Sequence, residues 1–324
     1  MLLNIVYLAL GLVLILAGAN GLTDGAAAVA RRWGVSDLVI GLTVVAFGTS
    51  APELAISVVS AVGGNAGLAI GNVVGSNIFN VLVIIGVTSI VAPIKIERSI
   101  MTNEIPLVIL SALALLAIGN APLLDGTGLP AVVGRADGVL LLLFFAIFMR
   151  YTFSQARKGG SEADVAAEPA VKVMSPIKAT LWIVGGLAML VCGGDRFVAG
   201  ASGIASALGV SDAVIGLTIV AAGTSLPELA TSVTAALKGK PGIALGNVIG
   251  SNIFNIFMVL GTAAVVRPLP FGSIGNVDLL TLTGACLLFW LFGWFFRERT
   301  ITRAEGSVLA AAYVAYIVWQ VLAA

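Results

Sequence analysis

Polar and apolar positions alternate along this chain on the scale of whole helices. Apolar runs fall at 2–30, 37–62, 66–92, 101–119, 132–151, 177–198, 212–237, 241–266, 277–296 and 304–323. Each is about 20 residues or longer, the length of helix that crosses a hydrocarbon layer. None shows the strict polar–apolar alternation of a membrane barrel strand. The pattern predicts an all-α membrane protein of ten transmembrane helices, five on each side of one long polar stretch. It divides the chain into a first half, 1–153, a linker, 154–175, and a second half, 176–324.

The two halves repeat one another. A constant offset of 175 aligns residues 41–93 with 216–268 without gaps, and 30 of the 53 positions are identical. The first copy opens GLTVVAFGTSAPELA and runs to GNVVGSNIFN; the second opens GLTIVAAGTSLPELA and runs to GNVIGSNIFN. Identity is concentrated where the residues are polar. Over 71–80 against 246–255 nine of ten positions match, whereas over the apolar residues just after, 81–90 against 256–265, one in ten does.

Basic residues set an orientation. With the N-terminus outside, 14 of the 17 Lys and Arg residues fall on the cytoplasmic side, leaving Arg135, Arg196 and Arg267 outside. Cytoplasmic loops carry the excess of positive charge, so both termini are expected outside and the linker inside, in the cell (inner or plasma) membrane. The first basic residues, Arg31 and Arg32, follow the first apolar run, the wrong flank for a cleaved signal peptide; residues 1–30 read as a retained span. Five spans per half is an odd number, so the second half enters the membrane inverted. The sequence therefore predicts two inverted five-helix repeats, an architecture of secondary transporters.

Composition agrees and narrows the chemistry. The 324 residues are 59% hydrophobic and 10% charged, with a mean hydropathy of +1.09; soluble chains carry about 25% charged residues. Net charge is +1, so nothing draws the chain to nucleic acid. There is no histidine, which removes His metal sites and Ser-His triads. Cys192 and Cys286 lie singly in apolar sequence and read as packing residues. Gly193-Gly194-Asp195 has a superficial likeness to a membrane aspartyl protease motif, but the repeat partner of Asp195 is Asn20, so no aspartate pair forms. The chain is not expected to be an enzyme or to carry a cofactor.

The repeated motif places a carboxylate, Glu53 or Glu228, inside apolar sequence, and an ionisable residue at membrane depth marks a functional site by default. In GTSAPE, 48–53, and GTSLPE, 223–228, proline removes a backbone donor and clashes with the carbonyl four residues back. The helix should break there and loosen carbonyls such as those of Ala46 and Ala221. With the hydroxyls of Thr49, Ser50, Thr224 and Ser225 and the two carboxylates, these are hard oxygen donors of the kind that hold Ca²⁺, and Na⁺ by the same logic. Ser76 and Asn80 lie four apart on one helix face, as do Ser251 and Asn255, and can add further oxygens. Asn72, Asn77, Asn247 and Asn252 suit either the site or interhelical bonding. Two glutamates supply charge −2, balancing one Ca²⁺ or two Na⁺, so the two loads would compete for one cage. Asp37 and Asp212, each after a serine and before an apolar run, read as helix N-terminal residues. Asp24 and Asp195 have no acidic repeat partner and are left outside the site.

GTSxPE followed by GNxxGSN, present twice, resembles the α-repeats of the cation/Ca²⁺ exchanger superfamily, and the chain looks most like its prokaryotic sodium/calcium exchanger-like members. The resemblance implies Glu53 and Glu228 as central ligands with Thr49 and Thr224 beside them. It implies one flanking Na⁺ position at Ser76 and the Ala46 carbonyl, and another at Ser251 and the Ala221 carbonyl. Ser50 and Ser225 would line the flanking positions, and Asn80 and Asn255 match the middle of the site. It also implies antiport of Na⁺ against Ca²⁺ by alternating access, with residues 1–30 and 177–200 as the moving gate and a monomer sufficient for transport. Some relatives, the potassium-dependent exchangers among them, carry aspartate where this chain has Asn255, which counts against K⁺ coupling here. The alternative within the superfamily is an H⁺-coupled exchanger of Ca²⁺ or another divalent cation.

Overall fold

Proline, glycine and small polar residues punctuate the apolar runs, and the helices begin and end at them. The computed structural model describes residues 2–158, 174–209, 221–272, 274–295 and 299–323. Its long helices are α1 (Leu2–Trp33), α2 (Asp37–Thr49), α3 (Ala51–Val62), α4 (Ala66–Val91), α5 (Ile100–Gly119), α6 (Arg135–Lys158), α7 (Pro176–Ala207), α8 (Leu226–Leu237), α9 (Pro241–Val266), α10 (Asn276–Phe295) and α11 (Arg303–Ala323). Among the described residues eight are long and apolar enough to cross a membrane, and α2 with α3 counts as a bent ninth. The expected tenth span, 212–237, begins outside the described residues; its described part is the short helix Ala221–Gly223 followed by α8. Asp212, most of the linker and Arg297 also lie outside them. Helix α6 continues to Lys158, five residues into the polar stretch. The chain is thus a helical, multi-pass membrane protein.

Local capping follows the sequence. The Ser36 hydroxyl accepts from Val39 N at 3.3 Å, so Asp37 begins α2 as expected of it. Asn65 caps α4 by accepting from Leu68 N at 3.1 Å, and Ser175 caps α7 by accepting from Lys178 N at 3.3 Å. Among the described residues four stretches widen to π-helix: Gly41–Val45, Asn80–Ile84, Ile100–Glu104 and Phe254–Leu260. Such widenings inside α-helices often occur at functional sites.

The chain falls into two compact units, each drawing on both sequence halves. The first comprises residues 1–49 and 147–250. Its centre is the pair α1 and α7, which meet along glycines spaced by seven: Gly11, Gly18 and Gly25 on one, Gly186, Gly193 and Gly200 on the other. A Cβ on Gly18 would lie 2.7 Å from the Gly186 carbonyl, and one on Gly193 2.9 Å from Ile15 N. Small residues let backbones approach this closely where lipid supplies no hydrophobic drive between helices. Ile15, Leu22, Ile40, Val45, Leu190 and Ile243 fill the core around this seam. Gly41 on α2 and Gly246 on α9 make a second close approach, an added Cβ on Gly246 falling 2.8 Å from Gly41 Cα. At the end of α8, Lys238 Nζ lies 2.7 Å from Asp24 Oδ1 on α1, with 27% and 40% of the two side chains exposed.

The second unit comprises residues 50–146 and 251–324. Here α4 meets α11 at Gly86 and Gly306, and α6 meets α9 at Gly138 and Gly261; Cβ atoms there would sit 2.6 to 3.1 Å from the facing carbonyls. Among the described residues four short strands, β1 (Ile94–Lys95), β2 (Val132–Val133), β3 (Leu269–Pro270) and β4 (Thr300–Ile301), clasp the loops. β1 pairs antiparallel with β4, Ile94 opposite Ile301, and β2 with β3, Val133 opposite Leu269.

Candidate ion-binding site

Both motif copies break the helix where proline requires it. The first copy stops at Thr49 and restarts at Ala51, with Ser50 between them at φ −85°, ψ 4° and Pro52 in the new first turn. In the second, the short helix Ala221–Gly223 gives way at Thr224 and Ser225 to α8, with Ser225 at φ −93°, ψ 6° and Pro227 in its first turn. Proline is tolerated in a first turn because the N–H it lacks has no intrahelical partner there. Glu53 and Glu228 therefore sit in the first turns of α3 and α8, where the positive end of the helix dipole favours a carboxylate. Each is 1% exposed.

A matching tether holds each glutamate's backbone. Asn72 Nδ2 donates to the Glu53 carbonyl at 3.2 Å and to Ser57 Oγ at 2.9 Å. Asn247 Nδ2 donates to the Glu228 carbonyl at 3.2 Å and to Ser232 Oγ at 3.0 Å. In the first unit Asn247 also brings in the other motif copy: its Oδ1 lies 3.1 Å from Thr49 Oγ1. The Thr49 hydroxyl has the carbonyls of Val45 and Ala46 as alternative acceptors at 3.1 and 3.4 Å, and its one proton serves one acceptor at a time. In the first unit Asn247 thus joins the Thr49 hydroxyl to the Glu228 carbonyl.

The second unit has a centre made of amides. Asn77 Nδ2 donates to the Asn252 carbonyl at 3.2 Å. Asn255 Nδ2 donates to Asn77 Oδ1, and Asn80 Nδ2 to Asn252 Oδ1, both at 3.0 Å. All four side chains are buried. Asn80 opens one π-helical stretch and Asn255 lies within another.

Of the residues singled out from sequence, Ala46, Thr49, Ser50, Glu53, Ser76, Asn80, Ser225, Glu228, Ser251 and Asn255 are buried, and Thr224 is half-buried. Ala221 opens the short helix before the second break. Five of their oxygens are buried with no hydrogen-bond partner among the described residues: Asn80 Oδ1, Asn255 Oδ1, Thr224 Oγ1, Ser225 Oγ and Ser251 Oγ. Leaving such groups unsatisfied costs about 1–3 kcal/mol each, and they are tolerated most readily where a ligand completes them. Among the described residues no three His, Cys, Asp or Glu side chains cluster, so a cation held here would rely mainly on neutral oxygens. Sequence reasoning misses Ser57 and Ser232. Each stands four residues after its glutamate, in both copies, and that spacing is the signal that could have found them.

The sequence matches the family described as sodium/calcium exchanger protein over residues 3–154 and 178–322. The chain belongs to the sodium/calcium exchanger protein family. Among relatives of this exchanger, the sodium/calcium exchanger MaX1 of Methanosarcina acetivorans is 35% identical over 346 residues, covering 97% of each chain. The inner membrane protein YrbG of Escherichia coli is 32% identical over 324 residues, covering 98% of this chain and 96% of its own. The fold is similar to that of the sodium-calcium exchanger NCX_Mj, solved after soaking with 2.5 mM Na⁺ and 0.1 mM Ca²⁺: TM-score 0.81, 33% identity and 98% of each chain covered. Membership of an exchanger family makes the chain a transporter rather than an enzyme.

Proposed function

We propose that the chain exchanges Na⁺ for Ca²⁺ by alternating access, binding both through the oxygens of its two motif copies. Glu53 and Glu228 supply the charge. Thr49, Ser50, Ser76, Asn80, Thr224, Ser225, Ser251, Asn255 and the carbonyls of Ala46 and Ala221 supply neutral oxygens. The observation that carries this reading is the set of buried oxygens in these motifs that lack a hydrogen-bond partner among the described residues. Hard cations prefer oxygen ligands, and no sulfur or imidazole competes in the motifs. Two carboxylates balance one Ca²⁺ or two Na⁺, so loading with one ion excludes the other, and a site open to each side in turn would couple their movements.

The accompanying architecture is ten spans in two inverted five-span repeats, 1–153 and 176–324, joined by a cytoplasmic linker. Both termini lie outside, in an inner or plasma membrane, as the basic residues indicate. Residues 1–30 and 177–200 form the moving gate, and one chain suffices for transport. The test is Ca²⁺ uptake into proteoliposomes with Na⁺, K⁺ and H⁺ gradients imposed separately. Uptake against a Ca²⁺ gradient is expected under an outward Na⁺ gradient alone. Uptake that ignores Na⁺ and follows pH would replace this reading with an H⁺-coupled one.

A further inference from the structure

The amide centre of the second unit has a direction that follows from atom types. A backbone carbonyl only accepts, so the atom of Asn77 that meets the Asn252 carbonyl is its amide nitrogen. The oxygen of Asn77 is thereby the end turned to Asn255, and only the Asn255 nitrogen can meet it. The Asn255 oxygen is then the end left over, buried and without a hydrogen-bond partner among the described residues. The other arm has the same pairing without the anchor: Asn252 Nδ2 is buried with no hydrogen-bond partner among the described residues, so no backbone carbonyl fixes which end of Asn252 meets Asn80. Asn252 Oδ1 holds the Asn80 nitrogen, and the Asn80 oxygen is left buried without a partner.

We propose that Asn77 and Asn252 are positioning residues. Each holds the nitrogen end of an amide from the other motif copy, so that Asn255 and Asn80 present oxygen, and not N–H, to the transported cation. The proposal rests on reading Asn80 and Asn255 as ion ligands. A primary amide that turns over about its last bond replaces an acceptor with two donors, and a cation that met oxygen then meets N–H. On the Asn255 arm the orientation fixed through Asn77 excludes that loss without placing another charge in the membrane. It also gives the paired asparagines distinct roles: 80 and 255 face the ion, and 77 and 252 face the ligands.

A double-mutant cycle tests this on the full chain in proteoliposomes, reading half-saturating Ca²⁺ and maximal rate under an outward Na⁺ gradient. Asn77→Leu keeps volume and removes both hydrogen-bonding ends. It should raise half-saturating Ca²⁺ about tenfold or more, in line with the loss of one contact to a charged group, with maximal rate changing less. Asn255→Ala should do the same, and the double variant should be no worse than Asn255→Ala alone, because nothing remains to orient. Effects that multiply would make Asn77 a packing residue and overturn the proposal. Asn252→Leu with Asn80→Ala runs the same cycle on the other arm. If both leucine variants fail to fold while both alanine variants fold, the amides are structural and the proposal falls. Wild-type protein that moves no Ca²⁺ against its gradient would instead refute the exchange reading, and the positioning role with it.

Discussion

Along α1 and α7 two backbones meet with almost nothing between them, whereas at the amide centre of the second unit helices meet through side chains whose every atom matters. At the seam, Gly18 and Gly186 approach each other's carbonyls at Cβ distances of 2.7 and 2.8 Å, and what holds them is packing. At the centre, Asn77, Asn80, Asn252 and Asn255 hold one another by three hydrogen bonds of 3.0 to 3.2 Å. A seam of this kind has no preferred chemistry; it fails when volume is added. The amide centre has little volume to defend; it fails when a donor or acceptor is changed. The two regions divide the work of a membrane helix bundle, one giving proximity and the other orientation.

Outside both regions, removing the charge of either motif glutamate should have the largest effect. Glu53→Gln and Glu228→Gln keep shape and hydrogen-bonding capacity but remove charge; each should fold and lose Na⁺-driven Ca²⁺ uptake to background in the proteoliposome assay. Retained exchange would remove these glutamates from the site. Next, Gly18→Leu forces the seam apart and should cost about 3 kcal/mol by overpacking, seen as a fall in thermal stability in detergent, with Gly18→Ala milder. An unchanged melting temperature would show that the seam is looser than its distances. Asn247→Ala should destabilise by about 1 kcal/mol more than Asn72→Ala, because Asn247 also accepts from Thr49; equal losses would mean that Thr49 gives its proton to a carbonyl. Smallest is Lys238→Ala, which removes a partly exposed ion pair. It should cost at most about 1 kcal/mol and less in high salt; a larger, salt-independent loss would make this contact part of the packing.

Much of the site is legible in the sequence because proline and buried charge have local consequences. Pro52 and Pro227 announce the breaks, and Glu53 and Glu228 announce a buried carboxylate just after each, whatever packs around them. The amides are different. Asn77 and Asn80 read alike in sequence, and which one turns its oxygen away depends on a carbonyl contributed from 175 positions downstream. The serines at 57 and 232 are hidden for a related reason, since a hydroxyl on an apolar helix has no evident role until Asn72 or Asn247 reaches it. The glycine seam is written plainly at 11, 18, 25 and again at 186, 193, 200, the same offset of 175. Spacing shows that those glycines share a face, but not which helix they meet. Helix ends are harder still: α6 runs on to Lys158 where polarity suggests a stop, with Gln155 Nε2 bonded to Tyr151 Oη at 3.3 Å.

Helices α1 and α7 each have 32 residues, or about 48 Å of helix, against about 30 Å of hydrocarbon. The surplus is more than three turns. Because the glycine contacts recur every two turns, each stretch of the pair is held together in nearly the same way as the next. A membrane thinner or thicker by a few ångströms meets a different stretch of the pair but the same kind of contact. The clasped pair is therefore built to tolerate hydrophobic mismatch, a property that a helix trimmed to the width of one membrane would lack.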